Sequence, residues 1–150
     1  MVVYREFQVG SLVLAFFIPT HILLNILYFI QFGTHPLGFN DFILINGIFV
    51  MIYLLFYGMT ITVSDEKILV SFGIGIIKRG IALNKISSVD TVKNPWYYGW
   101  GIRFIPNGML YNIAGSEGVE LKMNSTGKVI RIGTKNPAQL RSEISRRLSK

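Results

Sequence analysis

Residues 12–32 read LVLAFFIPTHILLNILYFIQF, and residues 42–62 read FILINGIFVMIYLLFYGMTIT. Each stretch holds 16 apolar residues in 21 and no charge. At about 1.5 Å per residue, each reaches about 31 Å as a helix, which matches a hydrocarbon core of roughly 30 Å. Pro19, Thr20, His21, Asn25 and Gln31 interrupt the first stretch without outweighing its Leu, Ile, Phe and Val. Both stretches are apolar all round rather than striped, unlike the core helix of a soluble domain. The pattern predicts two membrane helices. The first is not expected to be a cleavable signal peptide, because no small-x-small site follows it and a second apolar stretch comes at once.

Outward from these stretches, the charge pattern sets an orientation. Residues 33–40, GTHPLGFN, form a turn-rich loop without Lys or Arg, whereas Lys67, Lys78 and Arg79 follow soon after the second stretch. The positive-inside bias places the loop outside and both termini in the cytoplasm, as a multi-pass protein of the cell membrane. Of 15 basic and 8 acidic residues in the 150-residue chain, 14 and 6 lie in residues 64–150. Only 15% of the chain is charged and 51% is apolar, against roughly 25% charged for soluble domains. This excludes a single soluble globular domain, a disordered tail and a disulfide scaffold. With no cysteine, the chain has no thiol nucleophile and no thiolate metal site.

Four polar residues in the apolar stretches carry candidate contacts: His21, Asn25, Asn46 and Tyr53. His21 and Asn25 are four apart and share a helix face. Antiparallel pairing about a loop centred near residue 37 sets them level with Tyr53 and Phe49, and sets Asn46 near Tyr28. Two readings are open: hydrogen bonds that hold the helices together, or a proton or ion path built on His21.

Beyond Ile61 the texture changes to short period-two runs broken by turn residues, including 68–72, 76–83, 102–105, 109–113, 119–123 and 128–132. The spacing predicts about seven antiparallel strands in a sandwich or barrel, the first two forming a hairpin about Ser64–Lys67. Asn136 as N-cap and Pro137 at the first helical position open a final helix. Leu140, Ile144 and Leu148 lie on one of its faces, with Arg141, Arg146, Arg147 and Lys150 around them. That stripe either plugs the barrel or lies on a membrane surface. The expected class is an α+β membrane protein, with a transmembrane hairpin over 1–63 and an all-β barrel with one C-terminal helix over 64–150.

Seven strands and a terminal helix are the element order of the pleckstrin-homology barrel. The runs Gly99–Phe104 (GWGIRF), Gly108–Gly115 (GMLYNIAG), Gly118–Leu121 (GVEL) and Gly127–Thr134 (GKVIRIGT), with Pro137 and Leu140, resemble bacterial PH-like domain proteins. Ile68–Phe72 and Ile86–Val89 fit that family's opening strands, so the resemblance covers roughly residues 60–148. It implies the barrel fold and a two-helix hairpin ahead of it, and it says little about activity. The turn Ser64-Asp65-Glu66-Lys67 carries two acids and one base where phosphoinositide-binding members carry a basic cluster. That ligand is therefore not carried over.

Chemistry is sparse. The two histidines, His21 and His35, lie outside the strand-rich half, so neither a zinc set nor a Ser-His-Asp triad is expected there. Gly73-x-Gly75 lacks the third glycine of a dinucleotide loop. No catalytic residue, metal or cofactor is expected, and no nucleic-acid partner. Lys67, Lys78, Arg79, Lys85 and Lys93 are candidates for contact with anionic lipid head groups, or else ordinary solvated charge. Trp96, Tyr97, Tyr98 and Trp100 are candidates for packing at the barrel edge, insertion at a bilayer interface or a partner-binding patch. The expected function is a non-enzymatic, membrane-anchored binding module for a protein partner, another copy of itself or anionic lipid. The alternative is an accessory subunit that engages a membrane enzyme or transporter through its helices.

Overall fold

A computed structural model describes residues 2–149. The described chain runs β1 (Val2–Val9), α1 (Ser11–Phe29), α2 (Phe39–Phe56), β2 (Gly58–Ser64), β3 (Lys67–Phe72), β4 (Ile77–Ala82), β5 (Ile86–Lys93), β6 (Gly101–Ile105), β7 (Gly108–Asn112), β8 (Glu117–Met123), β9 (Val129–Gly133) and α3 (Pro137–Leu148). It is an α+β protein: two apolar helices near the N-terminus, a sheet-rich body and a C-terminal helix. The expected Lys150 of the last helix lies outside the described residues.

The strands form two sheets rather than a closed barrel, and there are nine of them among the described residues, not about seven. The first sheet has the order β1-β2-β3-β4, the second β5-β8-β9-β7-β6. Nor is every pairing antiparallel. The β8–β9 hairpin carries β9 back between β8 and β7, so Met109 of β7 lies opposite Ile130 of β9 in a parallel register. The expected hairpin about Ser64–Lys67 is present, with Val63 opposite Ile68. Alternate residues Met59, Ile61, Val63, Ile68, Val70 and Phe72 of the first sheet are buried against Tyr111, Val119, Leu121 and Ile132 of the second.

Two differences from the sequence reading concern the helices. The second helix ends at Phe56, not Thr62, because Gly58 and the β-branched run Thr60-Ile61-Thr62-Val63 pair with β1 as a strand. The division expected at 63/64 therefore falls inside β2. Residues 2–9, expected to lie with the hairpin, are strand β1, whose Glu6 sits opposite Ile61. The helical hairpin is thus spliced into the tip of a β-hairpin: β1 leads into α1 and α2 leads into β2, with Gly10 and Tyr57 as the only intervening residues.

At 19 and 18 residues, α1 and α2 are about 28 and 27 Å long, enough to cross a membrane. No residue of α1 is buried, and Phe49 is the only buried one of α2. Helix α3 takes the packing role. Its Leu140 and Ile144 are fully buried in the core shared by both sheets, and it lies against β5.

Candidate functional site

Three places collect the residues singled out in the sequence: the helical interior, the base of the hairpin, and a cleft on the sheet domain.

In the helical interior, His21 joins the two helices. Its Nε2 lies 2.9 Å from Asn46 Oδ1 and its Nδ1 3.2 Å from the Tyr53 hydroxyl, while its ring stacks on Phe49 with centroids 4.3 Å apart. Because Oδ1 only accepts, Nε2–H is the donor in the contact with Asn46. Tyr53 also reaches the Phe17 carbonyl at 3.3 Å. Asn25 bonds within its own helix, to the His21 carbonyl at 2.7 Å. Asn46 meets His21, and Tyr28 stacks instead on Phe42 at 4.0 Å.

At the base of the hairpin, backbone meets backbone. Gly10 N–H donates to Tyr57 O (2.8 Å), Gly73 N–H to Gly58 O (2.8 Å) and Ile74 N–H to Leu54 O (3.0 Å). The β3–β4 turn is therefore bonded directly to the last turn of α2. These contacts need glycine. A Cβ on Gly73, whose φ is +52°, would lie 2.0 Å from Leu54 O, and one on Gly10 would lie 2.4 Å from Phe56 O. The same turn projects Ile74 and Ile76 outward, 56% and 71% exposed, with the Lys78 side chain beside Gly75. A cleft of about 350 Å³ separates Val13, Phe17, Ile52 and Phe56 of the helices from Trp100 and Arg103.

The aromatic cluster divides. Trp100 faces the hairpin base, and Tyr98 sits on the sheet, with the Arg131 guanidinium 5.8 Å from its ring centroid. Trp96 is 83% exposed and Tyr97 is also exposed. Glycines at φ +69° (Gly99) and +93° (Gly101) allow the chain to turn between them. Arg131 also donates to Glu120 at 2.8 Å across the β8–β9 pair.

The five early bases do not converge. Lys78 is next to the base turn. Lys67 and Lys85 lie at the far end of the first sheet, the length of β2 away, where Leu83 N–H bonds Glu66 O. Lys93 lies opposite Glu117 on β5. Arg79 and Lys85 line a cleft of about 640 Å³ between β4 and the second sheet, together with Lys128, which sequence reading did not single out. Ile74, Ile76 and Arg103 were also missed. The available signal was two isoleucines in a Gly-Ile-Gly-Ile turn, where solvent-facing residues are normally polar.

Among the described residues one acidic side chain is buried, and its partners are structural. Glu6 accepts from the Tyr4 hydroxyl (2.5 Å), the Thr134 hydroxyl (2.6 Å) and the Lys135 N–H (2.9 Å). Gln8 donates to Gly133 O at 2.9 Å. Burial, then the hydrogen bond to Glu6 and its negative charge, push the Tyr4 phenol well above its ordinary value. Among the described residues, no three His, Asp or Glu side chains lie close enough to share a metal ion. No family model, curated protein or solved structure matches the chain.

Proposed function

We propose that the chain is a membrane-anchored, non-enzymatic binding module of bacterial PH-like type, with its sheet domain on the cytoplasmic side of a two-helix anchor. The module presents that domain to a protein partner, a second copy or anionic lipid. The observation that carries this reading is the splice of the helical hairpin into the β1–β2 connection. Helices that served as a soluble core would be buried, and these are bare. A removable leader would take β1, a strand of the first sheet, with it. Strands followed by a terminal helix that packs into the core support the PH-like part, although the two sheets stay open.

The anchor also orients the domain. Ile74, Ile76, Trp100 and Tyr57 ring the hairpin base at the level where apolar and aromatic side chains meet lipid head groups, with Lys78 and Arg103 beside them. With one residue on each side between helix and strand, the domain sits on the bilayer in one pose instead of swinging on a linker. His21, Asn46 and Tyr53 serve as the hydrogen-bonded contact between the helices.

The test uses the full chain in vesicles with brominated lipid. Wild-type protein floats with the vesicles after alkaline washing, and Trp100 emission is quenched in a Trp96→Phe variant, while Trp96 emission in a Trp100→Phe variant is not. Release by the wash overturns the anchor, and an unquenched Trp100 overturns the fixed pose.

A further inference from the structure

The two sheets leave one seam open, between the free edges of β4 and β6, and this opening is the cleft of about 640 Å³. Its floor is Met109, Tyr111, Met123 and Ile130, all from the inner face of the second sheet. Tyr111 and Ile130 are buried, while the two methionines remain partly exposed. Methionine is unbranched and polarisable, and it adapts to flexible apolar ligands. Phe104, at 89% exposed, stands at the margin. The rim carries Arg79, Lys85 and Lys128, and no carboxylate lines the cleft. Among the described residues none of these three has an ion-pair partner, whereas Arg131, Arg141, Arg146 and Arg147 all do. The hydroxyls of Ser125 and Thr126 add polar contacts.

An apolar floor beneath an uncompensated cationic rim matches one kind of molecule: an acyl chain ending in an anion. The volume falls within the roughly 300–1,000 Å³ of sites that enclose a single small ligand. We propose that the open seam binds a single-chain anionic lipid, with its chain over Met109 and Met123 and its carboxylate or phosphate head among Arg79, Lys85 and Lys128. The source is the anchoring bilayer, which a single-chain lipid leaves whole to reach a rim whose Lys85 lies at the far end of the first sheet. The inference therefore rests on the membrane reading for where the ligand comes from, though not for the site itself.

Photolabelling separates the two. Full-length protein is incubated with phosphatidylcholine nanodiscs carrying a diazirine-bearing palmitic acid, irradiated, digested and mapped. Co-elution with the discs reports on the anchor. The position of the adduct reports on the seam, and the same labelling is run on any chain that stays outside the discs. Adducts are expected within 104–111 and 123–130. Excess oleate or lysophosphatidate, the carboxylate and phosphate arms, should reduce them about tenfold, and neutral monoolein should not. Lys85→Glu/Lys128→Glu should lower labelling at least about tenfold, since it replaces two of the three cations at the rim by anions. Met109→Trp should block the floor and lower it as well, with the melting midpoint retained in both variants. Adducts confined to residues 11–56, equal competition by monoolein, or unchanged labelling of the charge-reversed variant would overturn the proposal.

Discussion

Along one side of the sandwich, the N-terminal strand meets the segment that leads from β9 into the C-terminal helix. Glu6 bonds Thr134 and Lys135, Arg147 lies 3.8 Å from Asp65 and bonds Glu143, and Leu140 and Ile144 fill the space between the sheets. Along the other side, β4 and β6 face each other across a cleft with three cations at its rim that have no ion-pair partner among the described residues. The two seams are built from the same kind of strand edge, yet across one Glu6 bonds a residue 128 positions away, while among the described residues no hydrogen bond or ion pair joins β4 to β6. The contrast separates stability from function. Buried groups bonded across the sheets hold the fold, and cations at the open rim are available for a ligand.

Four measurements break or sharpen that contrast. The largest loss is expected at the helix that seals the closed seam. Ile144→Ala removes a fully buried side chain and should cost about 3 kcal/mol, read as the denaturation midpoint in detergent. A loss below about 1 kcal/mol would mean that the seam is held elsewhere. Next comes Glu6→Ala, which leaves the Tyr4 and Thr134 hydroxyls and the Lys135 N–H without their acceptor. It should cost about 2 kcal/mol.

The third effect is a pH dependence. The native state keeps a Tyr4 proton that the unfolded chain releases near its ordinary pKa of 10.0. This contribution to stability is therefore complete below pH 10 and declines as pH rises further. A plot of melting midpoint against pH should fall more steeply above 10 for wild type than for Tyr4→Phe. Parallel curves would detach Tyr4 from the latch. The smallest change is expected at the open seam. Phe104→Ser should leave the midpoint within about 0.5 kcal/mol of wild type, because its ring is almost wholly in solvent. A clear destabilisation would show that the seam closes on itself.

Much of this architecture was legible locally. The helices announce themselves because 20 or so uncharged residues have few other environments open to them. The Ser64–Lys67 hairpin and the start of α3 at Pro137 follow from turn chemistry and capping preference. Strand β1 was not legible, for a specific reason. Its inward residues are Tyr4, Glu6 and Gln8 and its outward ones include Phe7 and Val9, so the usual apolar-in pattern is inverted. Those polar side chains can face inward only because Thr134, Gly133 and Lys135 supply partners from the far end of the chain. The end of α2 was misplaced for a related reason. Met59 to Val63 suits a membrane helix as well as a buried strand, and only pairing with β1 decides between them.

The candidate site was less legible still. Lys78, Trp100 and Arg79 were named from composition, but they fall in different places: two at the hairpin base and one at the open seam. Lys128, Met109 and Met123 join Arg79 only through the parallel β7–β9 pairing, which no local pattern encodes. By itself, the order of residues determined two long apolar helices, a strand-rich body and a C-terminal helix, because burial and turn preferences act over a few residues. Only the tertiary structure decided that the helices are spliced between paired strands, and that one seam closes while the other stays open. Those outcomes depend on partners more than 40 positions apart, and pairing at that distance is set by the packing of the whole chain.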